Sequence, residues 1–233
     1  SGTVNMATGF GSIDNDTQAS VNSQTANASG ATAGNIQSVL TVKSGATVNM
    51  GALTINRSTK ADTAAQAGTQ LKVEDGGKLY VESITLGTKE YKDKALGTTP
   101  NEKLASGSLT TTGHGQVDVA AQAVAEVKKD VTVAASTTFD KTNSGAFTVL
   151  GTLKTEAAVK DGVDAGAFNV NGGSVAVNTV ANAGTTTVAS GATFSVTGTG
   201  STNSGAISLQ SGAKFEVQAG ADLTNTGTIG GVK

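Results

Sequence analysis

From residue 139 onward, apolar and polar positions alternate in short runs broken by glycine. Four runs align by eye: Asn143-Ser-Gly-Ala-Phe-Thr-Val, Asp164-Ala-Gly-Ala-Phe-Asn-Val, Asn182-Ala-Gly-Thr-Thr-Thr-Val and Asn203-Ser-Gly-Ala-Ile-Ser-Leu. A fifth begins at Asn225-Thr-Gly-Thr-Ile. Their glycines, Gly145, Gly166, Gly184, Gly205 and Gly227, come at steps of 21, 18, 21 and 22 residues. Each run is succeeded by a second alternating unit that turns at glycine: Gly151-Thr-Leu153, Gly173-Ser-Val175, Gly191-Ala-Thr-Phe194 and Gly212-Ala-Lys-Phe215. Period-two alternation marks half-buried strands. A fixed repeat of about twenty residues marks a stack of like units. Two short strands and two turns per repeat predict one coil of a parallel β-solenoid, an all-β fold.

The alternation assigns an inner face. Phe147, Val149 and Leu153 point inward in one coil, then Phe168, Val170 and Val175, then Thr186, Val188, Phe194 and Val196, then Ile207, Leu209, Phe215 and Val217. Asn143, Asn182, Asn203 and Asn225 recur at what reads as one corner, and asparagine suits such a turn. An amide ladder bonded from coil to coil is expected there.

Strand signals before residue 130 are wider apart. Val39–Val42, Thr47–Met50, Leu53–Ile55, Leu71–Val73, Leu79–Val81, Ile84–Leu86, Val117–Val119 and Val131–Val133 read as strands, and Val124–Lys129 as strand or one helical turn. Residues 57–68 and 87–107 read as excursions, the second holding the only proline, Pro100, and the densest charges. A proline cannot donate to a strand ladder. Residues 1–37 form a polar arm in which Val4, Met6, Phe10 and Ile13 suggest a short strand, a candidate intersubunit strand. The expected organisation is this arm, then one solenoid over 38–233, with insertions over 38–130 and regular coils over 131–233. Eight to ten coils at the ~4.8 Å strand spacing give a rod of roughly 40–50 Å.

Composition fits a narrow interior. The 233 residues include 31 Gly, no Cys, no Trp and only 3% aromatics. Val and Ala carry most of the apolar content, and β-branched side chains suit a pleated wall. The net charge of −2 is spread without a Lys/Arg run, against nucleic-acid binding. No apolar run nears the ~18 residues of a membrane helix. The chain opens Ser1-Gly2-Thr3 rather than with Met, as a processed secreted chain or a trimmed one would.

Candidate chemistry is sparse. His114, the only histidine, lies between two glycines in an expected turn, so His-based triads and metal sites lack members. No Gly-x-Ser-x-Gly sits between strand and helix. Solenoid lyases and glycosidases use grouped carboxylates. Here Asp14, Asp16, Glu74, Asp75, Asp161 and Asp164 fall at corners, about one per coil, and only Tyr80 and Tyr91 offer sugar-stacking rings. Asp75-Gly-Gly77 and Asn171-Gly-Gly173 lack the rest of a calcium nonapeptide. The Thr triplets fall at different places in the repeat, a poor match to an ice-binding face. No catalytic, cofactor-binding or metal residue is assigned.

The coils of 139–231, with phrases such as Asn203-Ser-Gly-Ala-Ile-Ser-Leu-Gln-Ser-Gly-Ala-Lys-Phe and Leu223-Thr-Asn-Thr-Gly-Thr-Ile, resemble the β-solenoid passengers of bacterial autotransporters and haemagglutinin-like adhesins. The resemblance covers about three-fifths of the chain. It implies an exported surface protein with a right-handed solenoid, acting in adhesion or as a structural coat. Those passengers are usually far longer, so a fragment and a small subunit both fit.

The last coil, Phe215 to Ile229, is followed by no polar cap or helix. Exposed strand edges invite pairing. Head-to-tail contacts that do not close make filaments. The expected function is a non-enzymatic extracellular subunit that self-assembles into a filament, pilus-like fibre or surface layer. Its partner is itself, and Val4, Met6, Phe10, Ile13, Leu223 and Ile229 are the candidate joining residues. The alternatives are an adhesin passenger fragment with a host or matrix ligand and, ranked lower, a polysaccharide lyase or hydrolase.

Overall fold

The computed structural model describes residues 2–6, 38–55, 69–86, 113–135, 137–158 and 164–231. These residues form strands and turns and no helix. The strands are β1 (Gly2–Met6), β2 (Ser38–Val42), β3 (Ala46–Ile55), β4 (Thr69–Val73), β5 (Lys78–Leu86), β6 (Gly113–Val119), β7 (Val124–Val127), β8 (Val131–Val133), β9 (Thr137–Thr142) and β10 (Ala146–Thr155). They continue with β11 (Ala167–Val170), β12 (Ser174–Asn182), β13 (Thr185–Val188), β14 (Thr193–Val196), β15 (Ser201–Asn203), β16 (Ala206–Leu209), β17 (Lys214–Val217), β18 (Leu223–Asn225) and β19 (Thr228–Gly231).

All pairing is parallel, and it joins strands of successive coils into an eight-stranded and an eleven-stranded sheet. The architecture is a parallel β-solenoid. Facet I is the eight-stranded sheet: β2, β4, β6, β9, β11, β13, β16 and β19. The larger sheet carries two runs. Facet II holds β1, β7, β14, β17 and the first parts of β3, β5, β10 and β12. Facet III holds the second parts of those four strands with β8, β15 and β18. A coil such as β13–β14–β15 therefore has three strand segments, where the sequence suggests two. Ser201–Asn203 is too short and too polar to announce itself as a strand. Val124–Val127 is strand, not helical turn.

Buried side chains from all three facets meet in one column. Val73, Phe139, Phe168 and Val188 come from facet I, Leu79, Phe147, Val175 and Phe194 from facet II, and Ile84, Val131, Leu153 and Val180 from facet III. A string of rings crosses it, from Phe147 to Phe139, Phe168, Phe194 and Phe215, with centroids 5.5–6.2 Å apart. Stacking like on like makes a solenoid stable through nearest-neighbour coils.

The register corrects the phase of the repeat. Phe168 pairs with Thr186, and Thr186 with Ile207, all on facet I. Phe147 lies on facet II and pairs with Val175, while Leu153 pairs with Val180. The Asn143 run thus belongs one facet later than the Asp164, Asn182 and Asn203 runs. Its inward residues are those the alternation assigns, but its coil equivalents are different ones.

Gly2–Met6 is part of the stack, not of a separate arm. It pairs with Ala46–Met50 of its own chain, and the paired sequences share Thr-Val-Asn-Met. His114 lies within β6, paired with Thr138, and not in a turn. The expected excursions 57–68 and 87–107 lie outside the described residues.

Candidate functional site

The corner from facet III to facet I is built from polar side chains in the C-terminal coils. Register stacks Thr155, Asn182, Asn203 and Asn225 directly on one another. The Thr155 hydroxyl donates to Asn182 Oδ1 at 2.6 Å. Asn182 Nδ2 donates to Asn203 Oδ1 at 2.6 Å, and Asn203 Nδ2 to Asn225 Oδ1 at 2.7 Å. Asn182 also accepts from the Thr186 hydroxyl and donates to the Ala206 carbonyl. Both its donors and both its acceptor positions are used, so a buried amide carries no unpaired atom. Asn182 and Asn203 are buried; Asn225, in the end coil, is exposed.

Asn143 is not in this ladder. It lies at the corner from facet I to facet II, exposed, with φ +69°. Other turns at that corner use glycine at positive φ, such as Gly45, Gly76 and Gly191. Asparagine tolerates this left-handed conformation better than most residues. The Asn143 side chain bonds Asp118 Oδ1 and the Ser144 amide instead.

The ladder's turn needs glycine for close approach. A Cβ on Gly184 would lie 2.2 Å from the Gly166 carbonyl oxygen. One on Gly205 would lie 2.0 Å from that of Gly184, and one on Gly227 2.1 Å from that of Gly205.

Lys141 is a buried charged group that no motif in the sequence marks. It lies inside facet I, in register between Val117 and Val170, with no exposed surface. Its ammonium donates to the carbonyls of Asn143 (2.7 Å), Gly172 (2.6 Å) and Gly145. It ties the turn of one coil to the turn of the next. Burial pushes its pKa down to about 8, opposed by the charge of Asp118. Alternation alone is enough to find it: Thr137 and Phe139 face inward, so Lys141 must as well.

Of the acids singled out in the sequence, Asp14, Asp16 and Asp161 lie outside the described residues, and the others are paired, hydrogen-bonded or exposed. Glu74 pairs with Lys43 at 2.8 Å and Glu82 with Lys129 at 2.9 Å, and each lysine holds its partner's carboxyl below the usual range. Asp75 accepts from the Gln122 amide. Asp164 is exposed. No group of three or more His, Asp or Glu gathers as metal ligands among the described residues.

The two ends of the stack carry the surfaces of interest. Down facet II, Phe194 and Val196 are fully buried, whereas Phe215 is partly exposed and Val217 is 42% exposed. Down facet I, Ile207 is 1% exposed and Ile229 38%. The exposed residues occupy inward positions of the coil, uncovered because no described strand lies beyond β17, β18 and β19. Leu223, in β18, is partly buried against the same core. At the opposite end Val4 and Met6 pair in register with Val48 and Met50. Phe10 and Ile13 lie outside the described residues.

No protein-family model, curated protein or solved structure matches the chain. The functional reading therefore rests on geometry and on the texture of the coils. Among the described residues, the interior ladder and Lys141 bond within the scaffold, and the face at β17, β18 and β19 leaves inward-type apolar side chains uncovered.

Proposed function

We propose that this chain is a non-enzymatic structural subunit that adds end-on to further copies, building a filament, pilus-like fibre or surface layer. The observation that carries the reading is the end face at β17, β18 and β19. It presents inward-type apolar residues, Phe215, Val217, Leu223 and Ile229, beside three edges that no described strand covers. Such an edge is a template for another strand. A surface made of coil interior is complementary to another coil and to little else. The likeness of the coils to autotransporter passengers supports a setting outside the cell.

Electron microscopy of the purified chain across concentration tests the reading, beside a Val217→Lys/Ile229→Lys variant. Both residues are already exposed, so the variant keeps its melting temperature. Wild-type protein forms uniform fibres and the variant forms single rods. Wild-type protein that stays as single rods at every concentration overturns the reading.

A further inference from the structure

The two ends of the described stack are stepped, and the steps are complementary. At the first end, facet II begins with β1, while facet I begins one coil later with β2. At the other end, facet I runs to β19, while facet II stops one coil earlier at β17. Facets I and II each contain eight described strands, displaced by one strand relative to the other. Among the described residues, β19 is a facet I strand with no facet II companion at its level, and β1 is a facet II strand with no facet I companion. One end supplies what the other lacks.

We propose that a second copy of this chain docks by a half-lap joint, in which its β1 pairs with β17 of the first copy and completes the coil that β19 begins. This rests on the end-on reading above and specifies the joint. Parallel pairing throughout gives the stack a single polarity, so a head-to-tail copy continues every strand direction. The register within facet II is fixed by the existing pairs. β1 sets Val4 opposite Val48 and Met6 opposite Met50. From Val48 that register position descends through Leu79, Ala125, Phe147, Val175 and Phe194 to Phe215. Carried across the joint, it places Thr3 opposite Lys214, Val4 opposite Phe215, Asn5 opposite Glu216 and Met6 opposite Val217. The two residues that pair with buried Val48 and Met50 thus fall on the two uncovered facet II positions, Phe215 and Val217. On facet I, β2 of the incoming copy lands on β19, with Ser38 opposite Ile229 and Leu40 opposite Gly231. Among the described residues, facet III contributes one strand fewer than facets I and II.

The geometry also explains why β1 is useful to the molecule before it meets a partner. Held on β3, it is already extended and in register, so adding a copy orders no new strand. A preorganised strand avoids the ordering cost that weakens association.

The chain has no cysteine, so a designed pair reports the joint without background. Directly paired strands lie ~4.8 Å apart, within the Cα separation a disulfide spans. In Asn5→Cys/Glu216→Cys chains, mild oxidation produces a covalent ladder of oligomers that reducing agent collapses to monomer. In Asn5→Cys/Lys214→Cys chains, shifted by two residues, the ladder is at least tenfold weaker. The unmodified chain is imaged for fibres in parallel. Fibres with no ladder from the first pair, or an equal ladder from both, overturn the half-lap joint and leave end-on growth standing. An absence of fibres and of any ladder overturns both.

Discussion

Facet III meets facet I at one corner all along the rod, and the two halves of the molecule fill it differently. In the earlier coils the register position holds Ile55, Leu86 and Val133; in the later ones it holds Thr155, Asn182, Asn203 and Asn225. Leu86 and Val133 are buried by apolar neighbours, whereas Asn182 and Asn203 are buried by bonding one another. The chain also leaves the corner differently after the three asparagines than after Ile55 and Leu86. After Asn182, Asn203 and Asn225 it turns into the next facet I strand within two residues, at Ala183-Gly184, Ser204-Gly205 and Thr226-Gly227. After Ile55 and Leu86 the next strand starts at Thr69 and Gly113. A tight turn brings backbone carbonyls over the corner, and a donor is needed beneath them. Asn182 and Asn203 supply it, to Ala206 and Thr228. Turn length alone does not decide the filling, since apolar Val133 is followed by a strand at Thr137 and polar Thr155 by one only at Ala167; what goes with the amides is the two-residue Asn-x-Gly turn itself.

That contrast can be broken in both directions. Asn182→Leu strips partners from the Thr155 and Thr186 hydroxyls, Asn203 Oδ1 and the Ala206 carbonyl, each worth about 1–3 kcal/mol when left unpaired in the interior. A loss of about 4 kcal/mol in urea unfolding is expected. The reverse change, Val133→Asn, puts an amide into an apolar corner and costs about 3 kcal/mol by the same assay. Gly205→Ala drives a Cβ into the Gly184 carbonyl oxygen and costs about 2 kcal/mol, read as a lowered melting temperature. Thr152→Val removes only a partly buried hydroxyl pair with Thr179 and shifts stability by at most about 0.5 kcal/mol.

Lys141 sharpens the comparison by pH. Its folded value, about 8, lies below the ordinary 10.5, with Asp118 the charge that opposes the shift. Below about pH 8 folded and unfolded chains both hold the proton, and the desolvation cost is present in full. Between about 8 and 10.5 the unfolded chain keeps the proton that the folded chain releases. Stability therefore rises with pH across that window. Denaturation midpoints at about pH 7.5 and 10 should show the rise in the wild type and not in Lys141→Met. The variant should also be less stable at the lower pH, because the Asn143, Gly145 and Gly172 carbonyls lose their donor.

The fold is legible wherever alternation runs without interruption. Period two places Phe147, Phe168, Phe194 and Ile207 inward, and they are buried. The phase of the coil is less legible, because Asn-x-Gly and glycine turns look alike in sequence but occupy different corners. Asn143-Ser-Gly matches Asn203-Ser-Gly letter for letter, yet one turn leads into facet II and the other into facet I. Only coil-to-coil register separates them, and register is a property of neighbours. Facet III escapes the pattern for a related reason: Ser201–Asn203 and Leu223–Asn225 are three residues each, and their inward positions include serine and asparagine. The seat of β1 is open to inspection, since Thr3-Val-Asn-Met6 repeats Thr47-Val-Asn-Met50, but the intervening polar stretch conceals the kinship.

End-on growth is tested most directly by cryo-electron microscopy of concentrated protein, measuring the direction of the strand spacing in any fibre. Stacking of coils on coils requires the ~4.8 Å spacing to run along the fibre axis, with a subunit repeat of about 38 Å from the eight strands of facets I and II. Single rods at all concentrations, or rods joined side by side with that spacing across the fibre, would contradict it.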